Sequence, residues 1–141
     1  MLTLVSDGKS LTELKFGEPE ENTNHQDLPI FKETCRWLDL YFSGNKPNFT
    51  PPLNPQGTPF QQKVWQELLR IPYGETTTYG AIAKRINCRS AQAVGQAIHR
   101  NPIAIIIPCH RVIGADGSLT GYASGLDIKE KLLELEKAIN P

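Results

Sequence analysis

Five prolines, at positions 47, 51, 52, 55 and 59, crowd the stretch from Asn45 to Pro59, and no helical pattern survives among them. Proline fixes its own φ and has no amide hydrogen to donate, so neither a helix nor a central strand runs through such a stretch. It is the natural linker of the chain. The division it suggests is an N-terminal α/β lobe over 1–50, a linker over 51–57 and a second domain over 58–141. A chain of 141 residues is long enough for one compact domain, or for a domain with a small partner lobe.

In the N-terminal part, Leu2 to Val5 and Leu11 to Phe16 are short β-prone runs separated by Asp7-Gly8-Lys9. An Asp-Gly pair between alternating apolar residues signals an antiparallel hairpin. A lone hairpin is marginal and needs further sheet or a helix to cover it. The acidic, aperiodic stretch Pro19 to Asp27 reads as an exposed loop. Phe31, Cys35, Trp37, Leu38 and Tyr41 then outline the apolar face of a helix ending near Gly44.

Beyond the prolines, Thr58 is placed to cap a helix with Pro59 in its first turn and Phe60, Val64, Leu68 and Leu69 on one face. It stops before Pro72-Tyr73-Gly74. A second helix is expected from Thr78 to about Ile86. After a break at Asn87 to Arg89, a third starts behind Ser90 and reaches about Arg100, giving a helix-turn-helix outline. Ala91, Ala93, Gly95 and Ala97 make this third helix small-sided, which suits either close helix packing or close approach of its backbone to a polymer groove. The apolar run Ile103 to Ile107 reads as a buried strand or extended segment leading into Pro108-Cys109-His110-Arg111. A glycine-bearing loop is expected over Val112 to Tyr122, and a last helix over about Asp127 to Ala138. The pattern is α+β, with a small antiparallel N-terminal sheet lobe and a mostly helical C-terminal domain.

Net charge is zero but unevenly placed. From Thr76 to Ala115 there is no Asp or Glu, while Lys84, Arg85, Arg89, Arg100 and Arg111 give +5, so the flanks together carry −5. Such a window is a candidate polyanion-binding face, or simply a solvated surface. Cys35, Cys88 and Cys109 form neither a disulfide framework nor a four-ligand zinc pattern. No apolar run approaches the roughly 20 residues of a membrane helix and no signal-peptide layout is present. A cytoplasmic protein, nuclear in a eukaryote, is the expectation.

A cysteine beside a histidine at the exit of a buried run can be an activated nucleophile, since a nearby imidazole can generate the reactive thiolate. It can equally be a small buried hydrophobe, and the dipeptide alone does not decide. The wider pattern says more. Ile107-Pro-Cys-His-Arg-Val112 resembles the active-site signature of the O6-alkylguanine-DNA alkyltransferases (methylated-DNA–protein-cysteine methyltransferases). Thr58-Pro59-Phe60-Gln61 with Val64-Trp65, Ile71-Pro72-Tyr73-Gly74, Thr78-Tyr79-Gly80, Ala93-Val94-Gly95, Asn101-Pro102 and Gly121-Tyr122 are similar to the family in the same order. The resemblance covers about residues 58 to 137, with a fainter match in the N-terminal lobe.

That resemblance implies repair of O6-alkylguanine, and of O4-alkylthymine, in double-stranded DNA by a monomer acting once and without cofactor. Cys109 would accept the alkyl group, His110 would be its water-mediated base, and Glu136 would orient that histidine. Asn101 would tie the recognition helix to the active-site loop, and Tyr79 would help rotate the nucleotide out and hydrogen-bond the purine. Carbonyls of Cys109 and Val112 would accept from the guanine amino group, with the Ala123 amide facing the alkylated oxygen. Ala93, Gly95, Arg111 and Tyr122 fall among the DNA- and base-facing positions. The family commonly fills the space of the flipped base with an arginine. Gln92 stands at that position here, with Arg89 as the nearest source of compensating charge. Ala123 replaces a usual serine, which a backbone N–H donor tolerates. Family members generally have a strand before the one at Leu2, so the N-terminal sheet is expected to be shortened, and their N-terminal metal ligands find no counterpart. Two other readings are a damage-binding protein without transfer activity and a Cys-His hydrolase.

Overall fold

The computed structural model describes residues 2–17, 28–119, 121–122 and 125–136, in two compact units. The first comprises Met1–Gln56 with Pro102–Ala104, the second Gly57–Asn101 with Ile105–Pro141. The expected loop over Pro19 to Asp27 lies outside the described residues.

In the first unit, strands β1 (Leu2–Ser6) and β2 (Leu11–Phe16) pair antiparallel as the Asp-Gly signal predicts. Gly8 takes φ +105, and the Asp7 carboxylate accepts from the amides of Lys9 and Ser10 at 3.0 and 2.8 Å. The other edge of β2 makes two single-residue parallel bridges, Leu11 to Leu53 and Leu14 to Ile103. Helix α1 (Pro29–Phe42) packs on both strands. Its buried face is Ile30, Thr34, Trp37, Leu38 and Tyr41, with Trp37 and Tyr41 stacked at 5.2 Å. Cys35, expected on that face, is exposed. Thr34 takes the inward position instead, its hydroxyl satisfied by the Ile30 carbonyl at 2.7 Å.

The second unit begins with α2 (Pro59–Leu69), held by a complete capping box: Thr58 accepts from the Gln61 amide and Gln61 accepts from the Thr58 amide. Its buried face is Val64, Trp65 and Leu68. Phe60 and Leu69, expected there, are 37% and 44% exposed. The face turns toward Trp65 because the indole N–H donates to the Ala97 carbonyl at 2.9 Å, binding α2 to α4. Helix α3 (Tyr79–Arg85) is capped by Thr78 and α4 (Ala91–His99) by Ser90, forming the expected helix-turn-helix. Asn87 takes φ +57 while Cys88 N and Asn87 N donate to Ala83 and Lys84 carbonyls, a Schellman closure of α3.

Two expectations need correction beyond α4. Ile103 to Ile107 is not a strand. Only Ile103 bridges, and Ile105 adopts φ +68 while fully buried. The run is apolar because it is buried, not because it is paired, and a left-handed isoleucine bends it sharply. The predicted loop from Val112 also opens with a strand, β4 (Val112–Ile113), parallel to β3 (Thr77–Thr78). The last helix, α5, is Leu126–Leu135.

Candidate active site

The turn leading out of the apolar run winds into a one-turn 3-10 helix, Cys109–Arg111. Such a helix has three residues per turn, so successive side chains fan about 120° apart. All three are nonetheless interior: Cys109 is 8%, His110 0% and Arg111 7% exposed. Helix α5 packs against this turn and brings Glu136, at its C-cap, into the same interior.

His110 Nε2 lies 2.6 Å from Glu136 Oε2. Burial pushes the imidazole below its ordinary value despite the carboxylate, so it is neutral at rest. With Nε2–H donating to Glu136, Nδ1 is the basic nitrogen. Burial pushes the Cys109 thiol up, while Asn101, the Lys129 charge and Tyr122 pull it back. The sulfur is therefore a protonated thiol at rest and needs a base to become a nucleophile. The Tyr122 hydroxyl is buried, and its proton is held tightly by that burial and by the neighbouring Cys109.

Asn101 Nδ2 donates to the Ile107 carbonyl at 2.8 Å, joining the end of α4 to the segment that carries Cys109. Tyr79 opens α3 and shares an open groove of about 770 Å³ with Gln92, Gly95, Gln96, Arg100 and Gly121. A Cβ on Gly95 would stand 3.7 Å from the Tyr79 ring, so the glycine leaves the space beside that ring open. Gln92 and Arg89 are exposed, Ala93 is half-buried, and Val112 is buried in β4. Ala123 lies outside the described residues.

Arg111 departs from its expected place among the DNA-facing groups. Its Nε and Nη2 donate to Glu136 at 2.7 and 3.1 Å, and its Nη1 donates to the Ile71 carbonyl at 2.7 Å. An exposed phosphate contact would leave the Glu136 carboxylate without its main cation, so the guanidinium is a clamp inside the site. One residue was missed altogether. Lys129, on the buried face of α5, is 0% exposed and its charge acts on Cys109. The buried Leu132 and Leu133 could have pointed to it, because three and four residues back from them is Lys129.

Two family models match the chain: the DNA binding domain of 6-O-methylguanine DNA methyltransferase over residues 59–138, and its ribonuclease-like domain over residues 1–55. The chain belongs to this methyltransferase family. A methylated-DNA–protein-cysteine methyltransferase of Methanosarcina mazei is 54% identical, the match covering 96% of this chain and 90% of that one. One from Haemophilus influenzae is 46% identical, covering 96% and 80%. Among solved structures, Mycobacterium tuberculosis OGT in complex with DNA superposes with a TM-score of 0.87 at 50% identity, covering 97% of this chain and 86% of that one. S. pombe ATL in complex with DNA reaches 0.50 at 35% identity, over 57% of this chain and 78% of that one. The likeness to the methyltransferases spans both units, and the likeness to ATL about half the chain.

Proposed function

We propose that this chain repairs alkylated DNA by direct reversal, moving the alkyl group of O6-alkylguanine onto Cys109 Sγ in a single turnover. The observation that carries this reading is a buried cysteine beside a His110–Glu136 pair at 2.6 Å, in a methyltransferase-family chain. O4-alkylthymine presents the same kind of saturated carbon on oxygen and is the second substrate. The chain acts where DNA is, in the cytoplasm or, in a eukaryote, the nucleus. Among the described residues no helix is long and apolar enough to cross a membrane.

A base inside a duplex is out of reach of an interior sulfur, so the nucleotide must be extruded, at a cost of about a few kcal/mol. Cations around the helix-turn-helix hold the phosphates, α4 enters the groove with its small residues, and Gln92 fills the space left behind. Tyr79 and Gly95 border the way in, and the Cys109 and Val112 carbonyls accept from the guanine amino group. Glu136 holds the His110 Nε2 proton, and Nδ1 takes the Cys109 proton through a water. The S–C bond then forms as the C–O bond breaks, in line. Guanine leaves with the electron pair and Tyr79 shares a proton with it. The product is a thioether, which has no electrophilic carbonyl for water to attack, so the cysteine is spent. Incubation with a duplex containing O6-methylguanine should add one methyl group per chain, mapped to the Cys109 peptide, and Cys109→Ala should bind the duplex without gaining mass. Methylation of Cys35 or Cys88 instead, or guanine released beyond one equivalent, would defeat the reading.

A further inference from the structure

Helix α4 turns Val94, Ala97 and Ile98 inward, which leaves Gln92, Gln96 and Arg100 exposed in one row, four residues apart. Each step of that row is about 6 Å along the helix axis. All three line the groove of about 770 Å³ that Tyr79 borders, with Ala91 and Gly95 as the small residues beside them. The carboxamides of Gln61, Asn54 and Asn101 are used inside the fold, in a capping box, on the Asp7 carboxylate and on the Ile107 carbonyl. Among the described residues, those of Gln92 and Gln96 have no such partner.

In the docking proposed above, Gln92 stands where the nucleotide leaves the stack and Arg100 can meet a phosphate. Gln96 lies between them, one helical turn from the gap, which is one to two base steps at about 3.4 Å each. The minor groove is only about 6 Å wide, and side chains that wedge into a stack commonly enter from it. A helix whose groove side is as short as Ala91 and Gly95 suits that approach. An A·T pair shows only acceptors there, N3 and O2, whereas guanine shows its N3 acceptor beside the N2 amino donor. A carboxamide carries a donor and an acceptor side by side, so it can donate to N3 while accepting from N2. Facing an A·T pair, its oxygen meets a second acceptor instead.

We infer that Gln96 is a specificity-determining residue that reads the minor-groove edge of a guanine within two base pairs of the lesion, giving the chain a preference for G·C surroundings. This deepens the repair reading and rests on it for the docking. Fluorescence anisotropy with Cys109→Ala tests it on duplexes whose O6-methylguanine has two G·C pairs on either side. Exchanging one neighbouring guanine for hypoxanthine removes only the N2 amino group, and at one position this should weaken binding about tenfold. A weaker neighbouring pair eases extrusion, so duplex loosening would act in the opposite direction. 7-Deazaguanine, altered only in the major groove, should bind as guanine does. Adding Gln96→Ala should abolish the hypoxanthine effect, while adding Gln92→Ala should lower affinity and keep it. No loss at any position, a loss that persists in Gln96→Ala, or an equal loss with 7-deazaguanine overturns the inference. The wild-type chain separates this from the underlying reading. Methyl transfer to Cys109 without a hypoxanthine effect removes the role of Gln96 alone. A hypoxanthine effect in a chain that takes no methyl leaves that role standing and removes the transfer.

Discussion

The carboxylate of Glu136 takes four donors at once: His110 Nε2 at 2.6 Å, Arg111 Nε at 2.7 Å, Arg111 Nη2 at 3.1 Å and the Gly74 amide at 3.2 Å. Burial pushes its pKa up, but the hydrogen bonds from His110 and Arg111, together with the Arg111 charge, outweigh that and hold it well below the ordinary carboxylate value. A carboxyl held below its ordinary value of 4.5 adds stability that is complete above that value and is lost as pH falls below it. His110, held neutral by burial, also has its folded pKa lowered, from 6.5. The unfolded chain takes that proton first, so its contribution is complete above 6.5 and is lost below it. Urea titrations at falling pH should therefore show stability dropping in two stretches, one starting below 6.5 and one below 4.5. Glu136→Gln should lack the lower stretch and cost about 3–5 kcal/mol at neutral pH, because Arg111 stays buried without its partner. An equal loss of stability below pH 4.5 in both proteins would contradict this assignment. At this scale Cys109, His110 and Glu136 were legible through the ordered family motifs, and the structure brings them together. The place of Arg111 was not legible. A cation in a basic window reads as surface, and only the carboxylate 25 residues further on shows that it is buried.

Helix ends are local chemistry, and that is why the sequence marked them well. Thr58, Thr78 and Ser90 each cap the helix they were expected to open, since a short side-chain oxygen reaches its own third amide wherever the helix lies. Thr58→Ala should lower stability by about 1 kcal/mol. The residue before it is less forgiving. A Cβ on Gly57 would stand 2.4 Å from the Trp65 ring, which is itself fixed by its bond to Ala97, so Gly57→Ala should lower the melting temperature more than Thr58→Ala does. At the turn of the helix-turn-helix, Asn87→Gly should fold at least as well as wild type, whereas Asn87→Val, forced to φ +57, should lose about 1–2 kcal/mol in the same melts. Ile103 to Ile107 misled for the opposite reason. Apolar composition reports burial, and a strand also needs a partner, which lies far away in sequence. Leu14 supplies one for Ile103 alone.

For the molecule as a whole, the legible feature was a stretch without carboxylates, and burial decides how much of it can meet a polyanion. With Arg111 withdrawn to Glu136, the cations left exposed in the window are Lys84, Arg85, Arg89 and Arg100, and Arg85 already has Glu67 at 4.0 Å. Each phosphate neutralised steepens the dependence of log affinity on log salt by about 0.9, so four contacts bound the slope near −3.6. Arg89→Ala and Arg100→Ala should each flatten it by about 0.9 without changing the preference for alkylated over plain duplex. Gln92 belongs to a different class. It lies on the exposed face of α4, in the groove with Tyr79, and an amide there can hydrogen-bond an orphaned base but brings no charge. In the proposed docking, Gln92→Arg adds a cation where α4 meets the nucleic acid, so affinity should rise at low salt and the gain should shrink as salt increases. The measurement is fluorescence anisotropy across a salt series on Cys109→Ala, which keeps transfer from draining the complex. A Gln92→Arg curve superimposed on its parent at every salt would place residue 92 away from the nucleic acid and leave the extruded base without this wedge.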